Sequence, residues 1–221
     1  MLPVWKWRPG AAGGPVPGPR RPMRILAVAD VESRFIWEHF DPELFRGVEL
    51  IVSCGDLKAS YLSYLVTMIP APLFYVHGNH DDDYARRPPL GCECVDGRVV
   101  EYKGLRIAGL GGCMGTDPRS AFQYSEAEME KRVRRLESGL RRDRKLDIFV
   151  SHAPASGMGD GAGFHEGFRC FHEIHRDNAP RYHLFGHIHA LGSPFPTAGQ
   201  GIYVSGATTA VNCAGYRLLD V

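Results

Sequence analysis

Five apolar runs in this 221-residue chain each stop at residues able to bind a metal ion. "RILAVAD" ends at Asp30, with Glu32 two residues on. "VELIVSCGD" ends at Gly55–Asp56, and "PLFYVHGNHD" at Gly78–Asn79–His80–Asp81. "LDIFVSH" ends at Ser151–His152, and "YHLFGHIH" at Gly186–His187–Ile188–His189. The donors are carboxylate, amide and imidazole, without thiolate. Such a set suits Mn, Fe, Zn, Co or Ni, and its size fits two ions rather than one. Two divalent ions about 3.5–4 Å apart clamp the attacking and leaving oxygens of an in-line displacement at phosphorus. One carboxylate must bridge such a pair, and Asp56, central in the set, is the natural candidate. Singly, each motif has a plain reading: Gly-Asp as a turn, Asn-His-Asp as a loop or cap, His-x-His as a surface pair. In chain order, each closing an apolar run, they point jointly to a binuclear site.

The elements that must position these residues follow from the same runs. Short apolar runs alternating with longer amphipathic segments predict largely parallel strands covered on both faces. Helices are expected from Ser33 to about Phe45, from about Lys58 to Ile69, from about Ser125 to Leu140 and over about 166–178. Ser125-x-x-Glu128 reads as the capping box of the third. "GRVVEYKGLRIAGLGG" reads as two strands turning at Lys103–Gly104. With the terminal strands "GIYVSGATT" and "GYRLLDV", this implies mixed sheets, two of them stacked. Ligand sites of open α/β sheets form outside the carboxyl ends of the strands, so the five loaded ends should converge on one edge. Glycines 55, 78 and 186 suit tight turns there. Residues 1–22, rich in Pro and Gly and without periodicity, are expected to be a disordered tail before a domain spanning 23–221. Either Met1 or Met23 could be the natural start.

Composition narrows the remaining choices. A content of 44% hydrophobic and 23% charged residues is that of an ordinary globular domain. The net charge of +1 offers no attraction for nucleic acid or a membrane surface. The basic run Lys131–Arg135 lies among glutamates of a predicted helix and reads as a solvated face. Six irregularly spaced cysteines, without a convincing signal peptide, imply reduced thiols in a cytoplasmic protein rather than a disulfide framework. No apolar stretch approaches a membrane span. Oligomeric state is left open.

"GD" at 55–56, "GNHD" at 78–81, the strand-end His152 and "GHIH" at 186–189 resemble the motifs of the calcineurin-like metallophosphoesterase superfamily, from about Met23 to the C-terminus. The resemblance implies a four-layer αββα sandwich of two mixed sheets flanked by helices. It also implies two metal ions and hydrolysis of a phosphoric ester by a metal-activated hydroxide. Carried over, Asp30 and His189 hold the first metal, Asn79, His152 and His187 the second, and Asp56 bridges. His80 binds no metal but protonates the leaving oxygen or stabilises the phosphoryl charge, with Asp81 orienting it. The family's first motif is usually Asp-x-His, whereas this chain has Asp30-x-Glu32. Strand alternation turns residues 30 and 32 the same way, so Glu32 can reach the first metal and tilt preference toward Mn²⁺; the alternative is that Glu32 points away and the first metal is weakly held.

The expected activity is that of a metal-dependent phosphoesterase acting on phosphodiesters or small phosphorylated metabolites. The phosphoprotein phosphatases of the superfamily resemble "GDxVDRG" and "RGNHE", where this chain has "GDLK" and "HGNHD". The alternatives are a small-molecule phosphomonoesterase and a non-catalytic interaction module on the same fold. "GLGG" at 109–112 reads either as a close approach to ligand or as a tight turn. The Gly-rich loop after His152, with Asp160 and His165, reads as lining for substrate. His172, His175 and His183 are expected on the surface or on a helix.

Overall fold

The computed structural model describes residues 21–115, 117, 120–140, 145–189 and 200–221, so most of the expected tail lies outside the described residues. The first half of the chain forms β1 (Arg24–Ala29), α1 (Arg34–Glu38), β2 (Val48–Ser53), α2 (Ala59–Met68), β3 (Leu73–Tyr75) and β4 (Cys92–Cys94). Next come β5 (Val99–Tyr102), β6 (Leu105–Leu110), β7 (Cys113–Met114), β8 (Gln123–Tyr124), α3 (Glu126–Gly139) and β9 (Ile148–Ser151). The chain ends with α4 (Phe171–Asn178), β10 (Tyr182–Phe185), β11 (Ile202–Ser205), β12 (Thr208–Asn212) and β13 (Gly215–Asp220).

Two large mixed sheets result, and β7 and β8 pair separately. One has the order β13-β1-β2-β3-β4, with only β13 antiparallel to its neighbour. The other has the order β11-β12-β10-β9-β6-β5, parallel from β12 to β6 and closed at each edge by an antiparallel strand. Strand alternation makes each sheet two-faced. On β1, Ile25 and Ala27 join Leu50, Val52 and Phe74 in a core shared with Ile107, Ile148, Val150 and Leu184 of the second sheet. The alternate residues, Leu26, Val28 and Ile51, face Tyr61, Leu62 and Leu65 of α2. The outer face of the second sheet packs Ala108, Phe149 and Phe185 against Met129, Val133 and Leu136 of α3 and Phe171 and Ile174 of α4. Both faces of both sheets are therefore covered, giving the expected αββα layers and explaining the continuous apolar runs.

Local chemistry sets several boundaries. Ser125 caps α3 in a complete capping box with Glu128. Lys103 (φ 47°) and Gly104 (φ 82°) make the left-handed turn between β5 and β6. Two helices are shorter than expected. The first ends at Glu38 because Pro42 lacks the N–H a continuing helix needs and disfavours helical backbone at Asp41. The last begins only at Phe171, because Ala155 and Phe168 bridge in parallel and hold the preceding segment extended.

Candidate metal centre

The strands β1, β2 and β3 of one sheet and β9 and β10 of the other run parallel within their sheets, and the loops at their carboxyl ends meet. Asp30 follows β1 directly, and its two carboxylate oxygens each accept the His187 backbone N–H at 2.9 Å. This contact joins the sheets across 157 positions of sequence. Gly186 is required beside it, since a Cβ there would run into the Asp30 carboxylate and lie 2.7 Å from the Ala29 side chain. The Gly186 N–H in turn donates to the His152 carbonyl at 2.9 Å.

Asp56 lies at the centre. Its Oδ1 accepts the His80 backbone N–H at 2.8 Å, and its Oδ2 lies 3.4 Å from His152 Nε2. His152 is fully buried and donates from Nδ1 to the Cys54 carbonyl at 2.8 Å. That bond fixes the ring, so that Nε2 faces Asp56 and the Asn79 side-chain oxygen, 3.0 Å away. Donor atoms of Asp56, His152 and His187 all lie within 4.8 Å of one another. His189 Nε2 lies 3.6 Å from Asp30 Oδ1 on the same side of the molecule.

The electrostatics fit a cation. Burial opposes charge on His152, but its hydrogen bond to Asp56 and the nearby Asp30 outweigh that and raise its pKa to about 9. Burial likewise opposes ionisation of Asp56, yet His152 and the His80 N–H hold its carboxyl below the usual value. Bonding to Asp30 raises His189. The carboxylates thus draw positive charge onto the imidazoles, and a divalent ion would satisfy the same oxygens more fully. Backbone geometry agrees. Among the described residues, five non-glycines adopt positive φ, and three of them are Asp30 (61°), Asp56 (57°) and His187 (67°). Strained backbone of this kind clusters where side chains must be aimed.

Asp81 does not orient His80. Its Oδ2 accepts backbone N–H groups from Gly78 at 2.7 Å and Asp56 at 3.0 Å, pinning the two loops to each other. Burial pushes its pKa up to about 6 despite those bonds, with the Asp56 charge adding to the rise. The Glu32 carboxylate lies 3.8 Å from Lys58 Nζ, two residues beyond Asp56. Among the described residues, neither Asp30 nor Glu32 belongs to the group of Asp56, His152 and His187 or lines the central cleft.

Residues 23–191 match the family model described as calcineurin-like phosphoesterase. The chain belongs to that family. Among solved structures, TT1561 of Thermus thermophilus is similar with a TM-score of 0.63 at 20% identity, covering 90% of this chain and 94% of that one. GAP50, the anchor in the inner membrane complex of Plasmodium, is similar with a TM-score of 0.50 at 15% identity, covering 88% of this chain and 72% of that one. At these identities the likeness shows the fold alone. The comparison with curated proteins found no match.

In this calcineurin-like phosphoesterase the cleft has a volume of about 330 Å³ and is lined by Asp56, Asn79, His80, His187 and His189 together with Cys113, Gln123 and His165. Several supporting residues lack a local sequence signal. Asp96 accepts from Arg132 Nη2 at 2.6 Å and from the Gly111 N–H at 2.7 Å, and lies 3.7 Å from His77 Nδ1. Gly111 and Gly112 pack against the His77 backbone, with the Gly112 N–H donating to the His77 carbonyl at 2.7 Å. The "GLGG" glycines therefore serve a close approach between loops, one step behind Asn79 and His80. Asn212 donates to the Ile188 carbonyl at 2.8 Å and steadies the turn between His187 and His189. His175 and His183, expected on the surface or on a helix, are both buried, His175 within α4 and His183 within β10. The two rings face each other, His175 Nε2 lying 3.0 Å from His183 Nδ1, and His183 Nε2 reaches the Ser151 hydroxyl at 2.7 Å.

Proposed function

We propose that this protein is a divalent-metal-dependent hydrolase of small phosphoric esters, either phosphodiesters or phosphorylated metabolites. The observation that carries this reading is the convergence of Asp56, His152 and His187 donor atoms within 4.8 Å, at the strand ends of a calcineurin-like phosphoesterase. In this reading Asp30 and His189 would hold one ion, Asn79, His152 and His187 would hold a second, and Asp56 would serve both. Mn²⁺ is the first ion to test, and Fe, Zn, Co and Ni are also served by oxygen and imidazole donors. Bound divalent ions supply Lewis acidity toward phosphoryl oxygens and water.

The chain's own residues supply the rest. The Asp56 carboxylate is held by the His80 N–H, so its aim does not depend on the ion alone. His80, exposed on the cleft wall, protonates the leaving oxygen. The volume of about 330 Å³ suits a phosphoryl group with a small organic substituent. All six cysteines are free, which supports a reducing compartment such as the cytoplasm. No helix among the described residues is long and apolar enough to cross a membrane. The test is elemental analysis of the purified protein together with turnover of bis-p-nitrophenyl phosphate with added Mn²⁺. About two ions per chain and loss of turnover in EDTA are expected; full activity in EDTA with no bound metal would overturn the reading.

A further inference from the structure

We infer that His165 is a substrate-contacting residue on the cleft wall formed by the loop after β9, with Asp160 as the residue that positions it. The inference rests on the phosphoesterase reading of the cleft. His165 lines that cleft together with His80, and its ring centroid lies 5.3 Å from that of His187. It is nevertheless absent from the converging donor group. Its ring has no hydrogen-bond partner among the described residues and is exposed to solvent. An imidazole so placed offers an N–H donor to an oxygen of a bound phosphoryl group.

The loop is built to hold it there. Its neck is closed by Phe168 N–H donating to the Pro154 carbonyl at 3.0 Å and Ser156 N–H donating to the Phe168 carbonyl at 3.2 Å. Gly167 lies flat on the Ala155 backbone, where a Cβ would meet the Ala155 carbonyl oxygen at 2.8 Å. Asp160 then belts the loop from inside. Its Oδ1 accepts the Gly157 N–H at 2.7 Å and its Oδ2 accepts the Gly167 N–H at 3.1 Å. The Gly161 N–H closes onto the His165 carbonyl at 2.9 Å. A loop tied at both carboxylate oxygens and at the His165 backbone presents its imidazole at a set place without the ring itself being bonded.

The experiment compares wild type, His165→Ala, His165→Gln and Asp160→Ala. Three quantities are read: metal content, kcat/KM for bis-p-nitrophenyl phosphate with Mn²⁺, and affinity for inorganic phosphate by calorimetry with and without Mn²⁺. His165→Ala is expected to lose about tenfold in both kcat/KM and phosphate affinity, the scale of one hydrogen bond to a charged group, with metal content and Tm unchanged. His165→Gln, which keeps an N–H donor, should recover part of the loss. Asp160→Ala should shift both quantities in the same direction. Unchanged turnover and phosphate affinity in His165→Ala would overturn the inference, and loss of bound metal would make His165 a ligand instead. Wild-type protein without turnover would count against the phosphoesterase reading, while phosphate calorimetry would still decide on His165. Wild-type protein that binds no phosphate would overturn the inference as well.

Discussion

His80 and Asp56 share one hydrogen bond yet have separable tasks. The backbone N–H of His80 holds Asp56 Oδ1, and that bond survives any change of the His80 side chain. His80→Ala should therefore lower turnover by about 10²–10⁴-fold, the usual contribution of a general acid, while metal content is retained. Metal analysis alongside single-turnover rates checks this, and loss of an ion would make His80 a ligand. Asp56→Ala should instead weaken both ions, since a bridging carboxylate serves each of them. Glu32→Ala provides the contrast. With its carboxylate 3.8 Å from the exposed Lys58, its removal should leave both metal affinities within about threefold of wild type, a pair to an exposed lysine being worth little. Titration of Mn²⁺ into the two apo variants separates these outcomes. A selective loss of one ion in Glu32→Ala would restore Glu32 to the coordination shell.

At the scale of elements, α4 and the strands β9 and β10 are joined by a buried chain of polar groups. The Ser151 hydroxyl donates to the Ala153 carbonyl, spanning His152, and His183 Nε2 lies 2.7 Å from that hydroxyl. His183 Nδ1 faces His175 Nε2 at 3.0 Å, and His175 Nδ1 is buried without a partner. Burial holds His183 well below its ordinary pKa and lowers His175 to about 4, each helped by neighbouring histidines. Both rings are thus neutral in the fold. Unfolded, both titrate near 6.5 and bind more protons than the native state below that pH. Their contribution to stability is present above pH about 6.5 and is lost as pH falls toward 4, with a slope of up to about 1.4 kcal/mol per pH unit for each ring. Asp81 and His152, whose raised pKa values add stability as pH falls, act alike in wild type and His175→Gln, so urea denaturation between pH 7.5 and 5 should show wild type losing stability relative to His175→Gln. A difference between the two proteins that stays constant over that range would refute the account. Because the chain of bonds brackets His152, acid should also loosen the strand end that presents that ring.

For the whole molecule, the frame of the described domain begins at Met23. Met23 is buried and exchanges backbone hydrogen bonds of 2.9 Å with Val221, so the first and last strands close one edge together. Among the described residues ahead of it, Arg21 contributes an ion pair with Glu49 that is largely exposed. Such pairs contribute about 0–1 kcal/mol. A chain starting at Met23 should therefore melt within a few degrees of the full chain and keep its turnover; comparative calorimetry of the two decides. A large drop in Tm would show that residues before Met23 dock on the domain.

The sequence by itself determined the layers and the strand ends at which the candidate donors lie. Continuous apolar runs require strands covered on both faces, and the residue that ends each run must lie at a sheet edge, because both properties are local. The placement of Asp30, Asp56, Asn79, His80, His152, His187 and His189 at the ends of their strands was legible on that ground. The backbone between Asp30 and Glu32 shows where local reasoning ends. Alternation holds only while backbone stays extended, and Asp30 turns left-handed at φ 61°, with the Val31 N–H folded back onto the Ala29 carbonyl. The alternation that would turn Glu32 the same way as Asp30 is broken between them. Only the tertiary structure decided that turn, since it is held by the Asp30 carboxylate on the His187 N–H, a partner from the other sheet. The same is true of Asp96 beneath the loop of His77, of Asp160 beneath His165 and of the buried pair His175 and His183. Each acts through partners distant in sequence or through loop geometry, which no periodicity encodes.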